Sequence, residues 1–94
     1  MATMIVKHRV ANWESWKKVF DGMQETRQQH GWIGHEVHRD AADPNMVVIV
    51  NHMRDLDGAK RYGSSPALRE AMQRAGVQSA PEITFLDDAE KKTY

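Results

Sequence analysis

The sequence predicts an α+β domain of the ferredoxin-like βαββαβ type, a four-stranded antiparallel sheet with helices on one face. Three observations carry that prediction. Four short runs at 4–10, 32–39, 46–53 and 82–86 have the β-branched or alternating character of strands. Between the first and second, and between the third and fourth, apolar residues recur every three or four positions, as on amphipathic helices. The turn cluster "DAADPN" (40–45) separates the second run from the third by a short distance, which makes them a hairpin.

Each element has its own signals. "MIVKHRV" (4–10) is the first strand, and Asn12 is a good N-cap for the adjoining helix. Trp13, Trp16, Val19, Phe20 and Met23 line one stripe of that helix, stopped at His30-Gly31, where Gly31 suits the left-handed conformation past a helix end. "WIGHEVHR" (32–39) and "MVVIVNHM" (46–53) are the hairpin strands. Asp55 caps a short helix over 56–62, which "GSSP" (63–66) breaks. Ser65 and Pro66 then start a helix with an apolar stripe of Ala67, Leu68, Ala71, Met72 and Ala75, ended by Gly76. "EITFL" (82–86) is the last strand, and 88–94 is a polar tail. The first and third strands are expected at the centre of the sheet.

Composition narrows the function classes. At 94 residues the chain is expected to be a single domain over 1–94, short enough that its own core is thin. It has no cysteine, which rules out disulfides, thiolate metal sites and a cysteine nucleophile. No apolar run approaches the ~20 residues that span a membrane, and the N-terminus lacks a long apolar signal core; a cytoplasmic protein is expected. Its 13 basic and 13 acidic side chains balance, without a basic stripe, so no nucleic-acid or membrane partner is expected.

The third strand calls for a second copy. Met46 to Val50 is apolar on both alternating faces, whereas a half-exposed antiparallel strand alternates apolar with polar. Helices cover only one face of the sheet. The other would present an apolar patch to water, and the same face of a second chain is the simplest cover. Fully burying each such Val or Ile is worth about 1.5–3 kcal/mol. A homodimer is therefore expected; the alternative is a monomer whose tail folds over the open face.

The five histidines invite a His/carboxylate metal site, but their placement argues against one. His35 and His38 are three apart on a strand and point to opposite faces, His30 sits at a helix end, and Glu36 with His38 is only a two-ligand set. No metal is expected. His8 differs: it shares a face with Val6 and Val10 on a central strand. It is either a core histidine bonded to a neighbour or a polar handle in an apolar cavity, able to move a proton near neutrality. Asn51, in an otherwise apolar strand, either faces solvent at the strand end or meets a ligand, because an unpartnered buried amide costs about 1–3 kcal/mol. Trp32 fits a pocket rim or, slightly better, the dimer interface.

"HRVANWESWKKVF", the "DPN" hairpin turn and "RDLDGAKRYGSSPALREAM" together resemble the dimeric α+β barrel superfamily and, within it, the antibiotic biosynthesis monooxygenase-type domains. The resemblance covers essentially the whole chain. It implies a homodimer whose two sheets form a barrel, each subunit keeping a pocket between sheet and helices; a cavity of a few hundred Å³ with His8 and Tyr62 on its wall is what an enzyme or binder calls for, and a filled interior a structural role. His8 would lie on the pocket floor, Trp13 and Trp16 on the helix roofing it, and Tyr62 would approach from another helix. Many members end the third strand in Trp and carry His in the next helix; Met53 and Tyr62 stand at those positions here. The heme-degrading branch has an axial His where this chain has Met72, so heme is not expected, and no cofactor is. The implied function is a small-molecule enzyme, foremost a cofactor-independent monooxygenase of an aromatic or polyketide-like compound. Its catalytic residues would be His8 and Tyr62, with Tyr62 hydrogen-bonded to His8 or Asn51. Its substrate-binding residues would be Trp16, Asn51, Met53 and Met72. The alternatives are a cofactor-free isomerase, cyclase or decarboxylase, and a non-catalytic dimer that binds a small ligand.

Overall fold

The computed structural model describes residues 1–78 and 80–94. The chain runs β1 (Ala2–Arg9), α1 (Trp13–Asp21), α2 (Gln24–Gln29), β2 (Trp32–Arg39), β3 (Met46–Met53), α3 (Leu56–Gly63), α4 (Pro66–Arg74) and β4 (Glu82–Asp87). The four strands form one sheet in the order β2-β3-β1-β4, every neighbour antiparallel, with β1 and β3 central as expected. No helix is long and apolar enough to cross a membrane, among the described residues.

The three helix starts read from the sequence are capped as expected. The Ser15 amide donates to Asn12 Oδ1 at 2.9 Å, the Gly58 amide to Asp55 Oδ1 at 2.6 Å, and the Leu68 amide to Ser65 Oγ at 3.2 Å. Gly31 (φ +93°) and Gly76 (φ +76°) take the left-handed conformation after α2 and α4, where a Cβ would be strained.

Two features depart from the expected outline. The stripe from Trp13 to His30 is two helices rather than one, because the chain leaves helical hydrogen bonding at Gly22-Met23. Glycine is the costliest ordinary residue inside a helix, by roughly 1 kcal/mol against alanine. The break leaves the Phe20 carbonyl accepting from the Met23 amide at 3.1 Å. The second departure is in β2. Trp32 pairs with Met53 but Gly34 pairs with His52, so Ile33 is an extra residue and the strand is bulged there. Strict alternation would put Trp32 on the same face as Gly34, Glu36 and His38. The bulge turns Trp32 to the helix side and leaves Ile33 49 % exposed.

The helix-side core is built on Met4, Val6, Val47, Ile49 and Met53 from the sheet, and Trp16, Ala59 and Tyr62 from the helices. The opposite sheet face carries Ile5, Met46, Val48 and Val50, each only half-buried, and Leu86, which is exposed. Glu36 stands there between two imidazoles, 3.2 Å from His52 Nε2 and 3.5 Å from His38 Nε2. His52 joins this pair from β3. Its hydrogen bond, then His38's, holds the Glu36 carboxyl below its usual range. Among the described residues, no group of three or more such side chains is placed to hold a metal ion. The tail after β4 is exposed, tied at its start by Thr3 Oγ1 donating to Asp88 Oδ1 at 2.6 Å.

Candidate active site

Between the sheet and the helices lies an apolar cavity of about 70 Å³. The sheet contributes His8, Asn51 and Trp32 to its wall, and the helices contribute Trp16, Phe20, Arg27, Tyr62 and Met72. His8, Trp16, Asn51, Tyr62 and Met72 are thus brought together as expected. Met53 is not: it is buried in the core but lies off the cavity wall. It ends β3 one pleat beyond Asn51, in register with Trp32, and the Trp32 side chain lines the wall at that level.

The cavity is smaller than the few hundred Å³ expected, because aromatic side chains fill much of the space. The His8 ring meets the Trp16 edge at 5.7 Å, Trp16 stacks on Phe20 at 4.9 Å, and Trp32 packs against Tyr62 at 4.4 Å. An apolar cavity of roughly 150 Å³ accommodates benzene, so the present space holds less than one aromatic ring. Met23 and Met72 are the adaptable members of the wall, unbranched and able to change rotamer at low cost.

His8 is 3 % exposed, and neither ring nitrogen has a hydrogen-bond partner. Burial pushes its pKa down from 6.5 to about 4, so the imidazole is neutral at neutral pH rather than titrating there. It offers one donor and one acceptor, both unused. Tyr62 is buried, which raises its pKa, partly offset by the Arg27 charge; the phenol stays protonated and remains a donor. No hydrogen bond joins it to His8 or Asn51 among the described residues.

Asn51 and Trp32 correct the sequence reading together. Asn51 is buried at 3 % exposure with both polar side-chain atoms bonded: it accepts from Trp32 Nε1 at 2.8 Å and donates from Nδ2 to the Met4 carbonyl at 3.1 Å. It does not face solvent. Trp32 belongs to the cavity rather than to the outer sheet face, because the bulge at Ile33 turned it inward.

Sequence reasoning missed Arg27. It is 5 % exposed, its guanidinium lies 3.8 Å over the Phe20 ring, and Nη1 donates to the Phe20 carbonyl at 2.6 Å. Burial lowers its pKa, opposed by Tyr62 and Asp21. The signal was present: 16, 20, 23 and 27 continue one helical stripe in steps of four and three. The stripe was read only as far as its apolar members.

Residues 8–74 match the model of the family described as antibiotic biosynthesis monooxygenase. Among solved structures, SnoaB of Streptomyces nogalater, described as a cofactor-independent oxygenase, superposes with a TM-score of 0.74 at 16 % identity, covering 96 % of this chain and 94 % of its own. A Deinococcus radiodurans protein described by the same family name gives 0.70 at 19 % identity, covering 100 % and 98 %. A conserved protein of Methanosarcina mazei gives 0.71 at 15 % identity, covering 95 % and 94 %. At such identities these likenesses speak for the fold alone. The comparison with curated protein sequences finds no match. With the family model spanning both hairpin strands and all four helices, the chain belongs to the antibiotic biosynthesis monooxygenase family.

Proposed function

We propose that this protein is a small-molecule enzyme of the cofactor-independent monooxygenase kind, acting on an aromatic or polyketide-like compound held between sheet and helices, with Met23 and Met72 changing rotamer to admit it. One observation carries the reading: His8 is buried, uncharged and unpartnered on the wall of an apolar cavity. An unpaired buried polar group is costly, by about 1–3 kcal/mol, and a substrate that meets it removes the penalty.

In this reading His8 accepts a proton from an activated ring CH₂. The imidazolium it forms is stabilised by the enolate beside it, which offsets the burial that disfavours charge. Tyr62 donates its O–H to the enolate oxygen. Trp16 and Met72 enclose the ring, and Asn51 holds the Trp32 indole in place. The carbanion then reacts with dioxygen. Net, CH₂ and O₂ give C=O and H₂O, so the substrate supplies all four electrons and no flavin or metal is required. The apolar outer sheet face is covered in this reading by a second copy, giving a homodimer.

The small cavity favours a second reading, in which the ligand is a compact carbonyl compound and the reaction is a cofactor-free isomerisation, cyclisation or decarboxylation, or binding alone. Oxygen uptake separates the two. One-, two- and three-ring phenolic CH₂ compounds are assayed in an oxygen electrode without added flavin or metal. His8→Ala is expected to lower turnover by about 10²-fold or more, and Tyr62→Phe by less. Unchanged turnover in both variants, with the fold intact by circular dichroism, overturns the assigned roles. Proton exchange into a substrate without oxygen uptake favours the second reading.

A further inference from the structure

Among the described residues, three buried side-chain nitrogens have no hydrogen-bond partner, His8 Nδ1, His8 Nε2 and Arg27 Nη2, and both residues line the same cavity. We infer that Arg27 is an anion-binding residue of this cavity, and that its ligand is an apolar ring compound carrying an ionised ring oxygen, a phenolate or enolate, directed at Nη2. The inference rests on the reading that the cavity takes a small molecule and adds the charge of that molecule.

The argument is one of charge balance. A guanidinium keeps its charge even where burial lowers its pKa. A buried charge is ordinarily paired. Among the described residues, no carboxylate forms an ion pair with Arg27. The titratable groups around it are Asp21 at the end of α1, Tyr62 on α3, His35 on β2 and Lys17 on α1. Asp21 already pairs with Lys17, and the Tyr62 phenol is neutral. His35 lies against the Phe20 ring, edge to face at 4.9 Å, and adds no negative charge. Phe20 supplies Arg27 with a ring face and a carbonyl, which satisfy Nη1 and the cation's flat side but leave Nη2 open. Arg27 is therefore anchored through Nη1 while Nη2 is left without a partner, the arrangement that suits an oxyanion formed on the ligand.

The test uses two ring probes of similar shape, 4-nitrophenol and nitrobenzene, with the intact protein. Bound 4-nitrophenol reports its own ionisation by its visible absorbance. In wild type its apparent pKa is expected to fall by about one unit or more on binding, equivalent to about tenfold tighter binding of the anion than of the acid. Arg27→Met is expected to reverse the shift, because an apolar cavity raises a phenol's pKa. Arg27→Lys is expected to keep part of it, and nitrobenzene affinity is expected to change little in either variant. A pKa raised or unchanged in wild type overturns the inference, and that measurement needs no variant to fold. The same lowering in Arg27→Met also overturns it. Nitrobenzene binding without any preference for the phenolate sinks the Arg27 assignment and leaves the small-molecule reading standing; saturable binding of neither probe sinks both.

Discussion

At the scale of the residue, the histidine of the central strand sets the site's electrostatics. Its folded pKa of about 4 lies below its ordinary 6.5, so in that window the unfolded chain binds the proton and the folded one does not. Stability is therefore full above pH 6.5 and is lost as the pH falls toward 4, by an amount on the order of 3 kcal/mol. In urea titrations over pH 4–7, His8→Leu is expected to flatten this acid slope. An equal slope in wild type and variant would show that other groups account for it. Asn51 illustrates the opposite case, a buried amide whose oxygen and nitrogen each have a partner. It reads in the sequence as an anomaly in an apolar strand; the structure resolves it as the bond that orients Trp32.

At the scale of the element, two local interruptions shape the cavity. The break at Gly22-Met23 ends α1, and the Phe20 carbonyl there accepts from both the Met23 amide and Arg27 Nη1. The bulge at Ile33 brings Trp32 over Tyr62. A third element is fitted to its neighbour by a missing side chain. A Cβ on Gly63, at the end of α3, would lie 2.7 Å from Phe85 Cζ on β4. Alanine there gains roughly 1 kcal/mol of helix propensity but forces the ring aside, at about 1–3 kcal/mol. Gly63→Ala is expected to be net destabilising, by up to about 2 kcal/mol, read as a lower Tm in thermal unfolding. A Tm equal to or above wild type would mean that β4 yields to the methyl group without loss.

At the scale of the whole molecule, the sheet has one covered face and one bare one. Helices cover the first; Ile5, Val48, Val50 and Leu86 lie on the second, rimmed by Lys7, Glu36, His38 and His52. Covering that strip with a second sheet would remove several half-exposed Val and Ile side chains from water, a gain that matters to a domain of this size. Wild type is expected to sediment as a dimer at micromolar concentration. Val48→Lys, at the centre of the strip, is expected to shift it toward the monomer while preserving the circular dichroism spectrum. A wild type that sediments as a single subunit would leave the bare face without its partner.

The order of strands and helical segments, all three side-chain helix caps, the helix stops at Gly31 and Gly76 and the central place of β1 were legible in the sequence. Each depends on a few adjacent residues or on a short periodicity, and local sterics and hydrogen bonding decide such features. The membership of the cavity was legible for His8 from strand alternation, and for Trp16, Tyr62 and Met72 from the family resemblance. What only the tertiary structure decided were the turn of Trp32 inward, the exclusion of Met53 from the wall, the engagement of Asn51 and the burial of Arg27. Each hangs on a one-residue change of register or a helix break. Such a change reverses which face a side chain takes, while it leaves almost no mark on the pattern of apolar and polar residues.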